Sequence, residues 1–195
     1  MQADQLPAPE TFLSADEQEF LKELKLEKRR AEWLAGRYAA KKLISLKTGI
    51  SMNELSVTYD IWHRPLCGGH LVSITHSGGM AAAAFADGRL IGTDIEKIRP
   101  HSEAWKRECF HQSEIPGGTD DEAIKVWTLK ESVLKALGLG LTVPLKSIDF
   151  SGSVPVYAGK TLERFENSGK PCLIFATFKI CGWRFSAAVE VHHYA

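Results

Sequence analysis

Three carboxylates stand out in this sequence because their spacing could bring them together as ligands for a metal ion. Asp94 and Glu96 lie two residues apart at the end of a short apolar segment, LIGTDIEK. Side chains alternate along a strand, so these two carboxylates are expected to point to the same side. Glu131 lies farther along the chain in a helical segment. Three hard oxygen ligands of this kind suit Mg²⁺.

The same acidic residues also allow an ordinary structural interpretation. Glu96 is followed directly by Lys97, and Glu131 precedes Lys135 by four residues. Each carboxylate could therefore belong to a surface ion pair worth roughly a few tenths of a kcal/mol. The spacing alone leaves the metal site and the ion pairs as alternatives.

Other site chemistries are not indicated. The segment HRPLCGGH offers His63, Cys67 and His70 as zinc ligands, but a structural zinc ion usually has four ligands and no fourth lies nearby. A polar turn is the better interpretation. We also find no Ser-His-Asp order, nucleophile elbow or phosphate-binding P-loop.

Two elements must position the carboxylates. The apolar segment at residues 90–97 predicts a strand, and residues 119–138 predict an amphipathic helix that carries Glu131. Thr119 and Glu122 fit a capping box at the start of this helix, and Gly138 fits a left-handed cap at its end.

The order of the remaining elements predicts an α+β fold of two similar α/β halves related by pseudo-twofold symmetry. Each half has a long helix, a glycine-containing exit, a strand and a β-hairpin. A helical region starts at Ser14 and runs to about Lys47. We place the halves at residues 1–88 and 89–195, with the active site at the seam between them, where ligands often bind.

The hairpins are predicted from short apolar runs between glycine turns. Residues 71–86 form the first hairpin, although the alanines in MAAAAFA alone would suggest a helix. A largely β tail begins near residue 147, and a closing hairpin surrounds Cys181 and Gly182.

Composition excludes some classes of partner. The 24 basic residues balance the 24 acidic ones, so the whole molecule carries no nucleic-acid or membrane footprint. The four cysteines are scattered, the first ten residues do not resemble a signal peptide, and no apolar run approaches the roughly 20 residues of a membrane span. We expect a soluble, reduced, cytoplasmic protein.

Several segments together resemble the 4′-phosphopantetheinyl transferases. GTDIEK at residues 92–97 and WTLKESVLKALGLGL at residues 127–141 resemble the paired signature of that family, in its larger, pseudo-dimeric type that activates carrier proteins of peptide and polyketide synthetases. SITHSGG, HRP, the Phe110–Glu114 spacing and LAGRYAAKKLI resemble further family segments in the same order. Thr93 and Thr75 are mild departures from that pattern.

The resemblance implies an enzyme that moves 4′-phosphopantetheine from coenzyme A to a serine of an apo acyl or peptidyl carrier protein and releases 3′,5′-ADP. It implies that Mg²⁺ is the cofactor and that the metal ligands are Asp94, Glu96 and Glu131. Glu131 is the implied base, directly or through water, and Lys135 is implied to steady the leaving phosphate. The implied contacts to coenzyme A are Arg37, Arg64, Thr75, His76 and Lys135, with Arg30 a weaker choice.

Two other classes of function stay open at this point. The chain could be a non-catalytic module that binds coenzyme A or a carrier protein, or it could be a Mg²⁺-dependent phosphohydrolase. The three acids with Lys135 argue against the first class, and the lack of a second acidic cluster argues against the second. We expect a monomer whose partners are coenzyme A and carrier proteins, not nucleic acid or membrane.

Overall fold

Two antiparallel sheets, each packed against a long helix, dominate the computed structural model, which describes residues 6–191. This is a mixed α/β fold. The helices are α1 (Ala15–Glu23), α2 (Glu27–Thr48), α3 (Glu103–Cys109), α4 (Asp120–Leu137) and α5 (Gly159–Asn167). The strands are β1 (Val57–Tyr59), β2 (Pro65–Cys67), β3 (His70–Ser77), β4 (Met80–Phe85), β5 (Ile91–Lys97), β6 (Ile148–Asp149), β7 (Val156–Tyr157), β8 (Leu173–Ile180) and β9 (Trp183–Glu190).

The first sheet has the strand order β1-β2-β3-β4 and packs against α2. Its core joins Ala40 and Ile44 of α2 to Cys67 and Val72 of the sheet. The alanine-rich β4 pairs with β3 over its whole length, which confirms the predicted hairpin. Sheet pairing and the tight turn between the strands therefore override the helical preference of alanine.

The second sheet has the order β5-β9-β8 and packs against α4. Leu134 and Leu137 of α4 are fully buried in its core together with Ala188 of β9. Gly92 of β5 allows this packing, because a Cβ atom there would lie 1.8 Å from the carbonyl oxygen of Ser132. The helix backbone thus rests directly on the strand that carries two of the candidate ligands.

Helix α4 begins and ends as the sequence predicts. Thr119 and Glu122 form the capping box, and Gly138 closes the helix in the left-handed conformation with φ 71°. The glycine is also required by packing, since a Cβ atom at this position would lie 2.7 Å from the carbonyl oxygen of Trp62. The turn of the first sheet that contains Trp62 therefore contacts the end of α4.

The two sheets meet where β3 runs beside β5, and hydroxyl side chains span the gap. Ser73 Oγ accepts a hydrogen bond from the Thr93 amide at 2.8 Å, and Thr75 Oγ1 accepts one from the Ile95 amide at 3.1 Å. Side chains of β3 thus replace the backbone partners that a neighbouring strand would supply. They place the candidate ligands of β5 at the junction of the two sheets.

Two parts of the sequence prediction need correction. The helical region before Gly49 is two helices, because the backbone leaves the helical conformation at Leu24. The tail is largely β as predicted, but it also contains the unpredicted helix α5 between the short pair β6–β7 and the closing hairpin β8–β9. In the described range, no helix is long and apolar enough to cross a membrane.

The contact at Gly92 makes a sharp packing test. Gly92→Ala should lower the free energy of unfolding by at least about 3 kcal/mol, because the new methyl group must push α4 away from β5. Gly152→Ala is the control, since its Cβ atom would meet nothing closer than 3.5 Å. Urea unfolding measures both changes. Equal midpoints for the two variants would contradict the close approach of helix and strand.

Candidate active site

Asp94 is the best-connected of the three carboxylates. It is 5% exposed, and its Oδ1 atom accepts hydrogen bonds from Thr75 Oγ1 at 2.9 Å and from Lys135 Nζ at 2.6 Å. Its other oxygen, Oδ2, is buried and has no hydrogen-bond partner among the described residues. A buried carboxylate oxygen without a partner is costly, so this atom is available to a ligand.

Glu96 points to the same side of β5 as Asp94, as the alternation predicts. Its Oε2 atom accepts a hydrogen bond from Ser77 Oγ at 2.5 Å. Burial raises the pKa of Glu96, the Ser77 hydrogen bond opposes that change, and the charge of Asp94 adds to it. The two strand carboxylates therefore repel each other in a partly buried setting.

Glu131 comes to the same place from α4. It is 5% exposed, and its buried Oε1 atom has no hydrogen-bond partner within residues 6–191. Burial raises the pKa of Glu131 to about 7; Asp94 and Glu96 add to the rise, and Lys135 opposes it. The ion-pair interpretation is thus incomplete, because Lys135 bonds to Asp94 rather than to Glu131.

The chemistry of this cluster fits a magnesium ion. All three side chains offer hard oxygen atoms, two of the oxygens are buried without partners, and Lys135 is the cation that pairs directly with these acids within residues 6–191. The described residues contain no preformed group of three or more His, Cys, Asp and Glu side chains arranged to hold a metal. The amine of Lys135 instead balances the charge of Asp94.

A cavity of about 470 Å³ lies beside this cluster, between the turn before β2 and the end of α4. Lys135 lines it and connects it to Asp94. Arg64 lines it too, but its guanidinium also pairs with Asp60 Oδ2 at 2.8 Å. Lys135 and Arg64 therefore give this cavity two cations beside the acidic cluster.

Arg37 lies apart from the cluster. It is 8% exposed, its Nε atom is 3.3 Å from Glu17 Oε1, and its guanidinium lies 4.8 Å from the ring of Trp33. Lys41 is fully buried and pairs with the same Glu17. A contact to coenzyme A stays a prediction for Arg37, and the structure supplies a competing, structural role.

His76 also faces away from the acids. It follows Thr75 directly on β3, so its side chain points to the opposite face of the sheet. There it lines a second cavity, of about 540 Å³, together with Lys28 and Arg29 of α2. Its Nδ1 atom is 3.9 Å from Glu32 Oε2. The structure thus joins Thr75 to the metal candidates and separates His76 from them.

Some supporting residues were missed by the sequence reasoning. Ser73 and Ser77 share a strand face with Thr75, and this spacing of two was a usable signal. No local signal pointed to Asp60 as the partner of Arg64. Next to Glu131, the fully buried Lys130 pairs with Glu114 at 2.6 Å, which fixes α4 against the loop before it.

Comparison with known families decides the relationship. A family model described as the 4′-phosphopantetheinyl transferase superfamily matches residues 90–179. A second model, described as the 4′-phosphopantetheinyl transferase N-terminal domain, matches residues 16–86. The chain belongs to the 4′-phosphopantetheinyl transferase superfamily. The presence of both regions places it with the larger type.

Individual relatives agree with this membership. The chain is 33% identical to 4′-phosphopantetheinyl transferase Sfp of Bacillus subtilis (strain 168), over 52% of this chain and 47% of that protein. It is 28% identical to 4′-phosphopantetheinyl transferase HetI of Nostoc sp. (strain PCC 7120), over 66% of this chain and 61% of that protein. The matched part thus spans about half to three fifths of the length of these relatives.

A solved structure is also similar in part. Holo-[acyl-carrier-protein] synthase (AcpS) from Neisseria meningitidis matches 52% of this chain and 97% of that one, with 17% identity and a TM-score of 0.42.

The burial of Glu131 beside two other acids should cost this family member stability when no cation is bound. The pKa of Glu131 is raised from 4.5 to about 7, so its ionisation costs the folded state on the order of 3 kcal/mol as pH rises through that window. Glu131→Gln keeps the shape and removes the charge. In EDTA, the variant should therefore gain stability relative to the wild type between pH 5 and pH 8.

Urea unfolding at the two pH values measures this gain. Glu163→Gln, on the exposed face of α5, is the control and should show no pH-dependent difference. Added Mg²⁺ should stabilise the wild type more than Glu131→Gln. An equal difference between Glu131→Gln and wild type at both pH values would contradict the raised pKa of Glu131.

The buried position of Arg37 gives a test that separates its two roles. If the pair with Glu17 is structural, Arg37→Ala should lower the free energy of unfolding by about 1–3 kcal/mol, less than for an isolated buried pair because Lys41 remains. Coenzyme A affinity should then change by less than about twofold. Lys42→Ala, exposed on the same helix, is the control. A tenfold loss of affinity with unchanged stability would establish the phosphate contact instead.

Proposed function

We propose that this protein transfers the 4′-phosphopantetheine group of coenzyme A to a serine hydroxyl of an apo acyl or peptidyl carrier protein. The observation that carries the proposal is the convergence of Asp94 and Glu96 from β5 with Glu131 from α4, beside a cavity lined by Lys135. Membership of the superfamily supports the same reaction.

The bond changes define what the site must do. The serine oxygen forms a bond to the phosphorus next to pantetheine, and the bond from that phosphorus to the bridging oxygen breaks. The serine proton goes to a base, and 3′,5′-ADP leaves with the electron pair of the broken bond. The site must therefore accept one proton and neutralise the charge that grows on the leaving phosphate.

Glu131 is the proposed proton acceptor, directly or through one water. In the ligand-free protein, burial and its acidic neighbours raise the pKa of Glu131 to about 7, so there its carboxylate is a stronger base than an exposed one. Its unpartnered Oε1 atom is free to accept the proton. Lys130, the residue before Glu131, supports this role. Its buried ion pair with Glu114 fixes how α4 is turned about its own axis.

Asp94, Glu96 and Glu131 are the residues proposed to hold Mg²⁺. The ion supplies positive charge to the pyrophosphate oxygens when bound. Thr75 and Ser77 orient the strand carboxylates through hydrogen bonds to Asp94 and Glu96. Lys135 contacts Asp94 and also lines the cavity, which suits a role at the leaving phosphate.

Coenzyme A is proposed to occupy the cavity that Arg64 and Lys135 line. Both cations suit its phosphates, and Thr75 donates to the same Asp94 oxygen that accepts a hydrogen bond from Lys135. His76 stays a proposed phosphate contact from the second cavity, where Lys28 and Arg29 add positive charge. Arg37 stays the least supported of these contacts because of its buried pair with Glu17.

We propose further that the two halves, residues 1–88 and 89–195, are related by a pseudo-twofold axis with the active site at their seam. The packing of α2 on the first sheet and of α4 on the second supports this arrangement, as does the side-by-side placement of β3 and β5. A monomeric, cytoplasmic enzyme is the proposed form, and the four free thiols within the described range agree with it. Native mass spectrometry tests the monomer.

One assay tests the proposed reaction and separates it from the alternatives. Wild-type protein, coenzyme A, Mg²⁺ and a panel of apo carrier proteins are mixed, and intact masses are measured. A carrier that gains one phosphopantetheine establishes transfer. Breakdown of coenzyme A without that gain would indicate a phosphohydrolase, and binding without either would indicate a non-catalytic module.

Asp94→Asn should reduce the transfer rate by roughly 10²-fold or more, because it removes one anionic ligand while keeping the side-chain shape. Asp87→Asn is the control, since Asp87 is an exposed carboxylate paired with Lys47 at the surface. A near-normal rate for Asp94→Asn at millimolar Mg²⁺ would remove Asp94 from the metal site.

A further inference from the structure

Helix α5, which the sequence analysis missed, places one arginine against the first sheet. The guanidinium carbon of Arg164 lies 3.5 Å from the ring centroid of Trp62. Trp62 belongs to the turn between β1 and β2, which lies about a hundred residues earlier in the chain. A planar guanidinium stacked at this distance makes a favourable cation–π contact. The contact joins the last helix to the turn beside the cavity.

The same arginine also holds the end of α4. Arg164 Nε donates a hydrogen bond to the carbonyl oxygen of Leu137 at 2.8 Å. Arg64 approaches the neighbouring carbonyl, that of Ala136, at 3.4 Å. The last carbonyls of a helix lack partners within the helix, so cations are favourable there. Arg164 thus contacts both walls of the cavity, the turn and the end of α4.

The turn itself is organised around Asp60. Its Oδ1 atom accepts hydrogen bonds from the amides of Trp62 and Arg64, and its Oδ2 atom accepts one from Arg64 Nε at 2.8 Å. These bonds make residues 60–64 a small unit that carries Arg64 in a set orientation. Trp62 is 42% exposed, so the turn has little burial of its own to hold it in place.

We propose that Arg164 is a positioning residue for coenzyme A. Its guanidinium clamps Trp62 to the end of α4, and this clamp holds Arg64 at the cavity wall opposite Lys135. Arg164 itself touches no reacting atom. The inference rests on the proposed function, because it assigns the cavity to coenzyme A.

The clamp depends on the planar shape of arginine as well as on its charge. Lysine at position 164 would keep a positive charge near Asp60 but would lose the flat stacking surface and the hydrogen bond from Nε. Arg164→Lys should therefore behave like Arg164→Gln. Recovery by lysine is the result expected if only the charge mattered.

Two measurements on the full chain test the clamp. Hydrogen–deuterium exchange in residues 60–65 of the ligand-free protein should become faster in Arg164→Gln and Arg164→Lys, while exchange in β5 stays as in the wild type. Calorimetry with coenzyme A and Mg²⁺ should give a Kd raised roughly 3- to 30-fold in both variants. Glu163→Gln, exposed on the same helix, is the control and should change neither measurement.

Trp62→Leu removes the stack from the other side and keeps the test available if the Arg164 variants fold poorly. It should raise exchange in the same turn, and adding Arg164→Gln should raise it little further, because one contact cannot be lost twice.

Unchanged exchange, or full recovery by Arg164→Lys, would overturn the clamp. If the wild type binds coenzyme A and the variants bind it equally well, the positioning role is wrong. If the wild type does not bind coenzyme A, both the proposed function and this inference fail.

Discussion

The candidate site depends on the hydroxyl of Thr75. Its oxygen accepts a hydrogen bond from the Ile95 amide of β5 and donates one to Asp94 Oδ1. One side chain therefore joins the two sheets and orients a candidate ligand at the same time. Ser73 and Ser77, two residues before and after Thr75 on β3, each make one of these two kinds of contact. Ser73 accepts a hydrogen bond from the Thr93 amide, and Ser77 donates one to Glu96. The side chains of β3 at this junction are hydroxyls because they must hydrogen-bond to backbone amides at the edge of β5 and to carboxylates.

This junction leaves acidic groups in an unfavourable setting. Asp94 and Glu131 each keep a buried oxygen without a partner in the described range, and Lys135 is the cation that pairs directly with the group there. Buried like charges destabilise a fold unless a ligand compensates them. The packing around Gly92 and the buried pair of Lys130 with Glu114 hold α4 in place despite that cost. Favourable packing and pairing around the site thus offset the cost of burying its charges.

The sequence was most informative where local chemistry decides local structure. The caps at Thr119 and Gly138 set the bounds of α4, and the alternation in β5 put Asp94 and Glu96 on one side. The same alternation places the side chains of His76 and Thr75 on opposite faces of β3, and the contact of each to coenzyme A stays a prediction. The place of His76 in a second cavity follows from that rule.

Other features depend on contacts between distant segments, which no local pattern encodes. Helix α5 is not one of these features, because its sequence is strongly amphipathic and the sequence analysis overlooked that local signal. Arg37 looked like a free cation until its partner Glu17, on another helix, was known. The break at Leu24 contains neither glycine nor proline to announce it. Tertiary packing decides both the pairing of Arg37 and the break at Leu24.

The central claim is that Asp94, Glu96 and Glu131 bind one divalent cation together. Crystals grown with coenzyme A and Mn²⁺, which can replace Mg²⁺ at oxygen sites, would show the ion directly in an anomalous difference map. We expect one strong peak in direct contact with a carboxylate oxygen of each of the three residues. A map without a peak at this junction, or with a manganese ion bound only by other residues, would contradict the account.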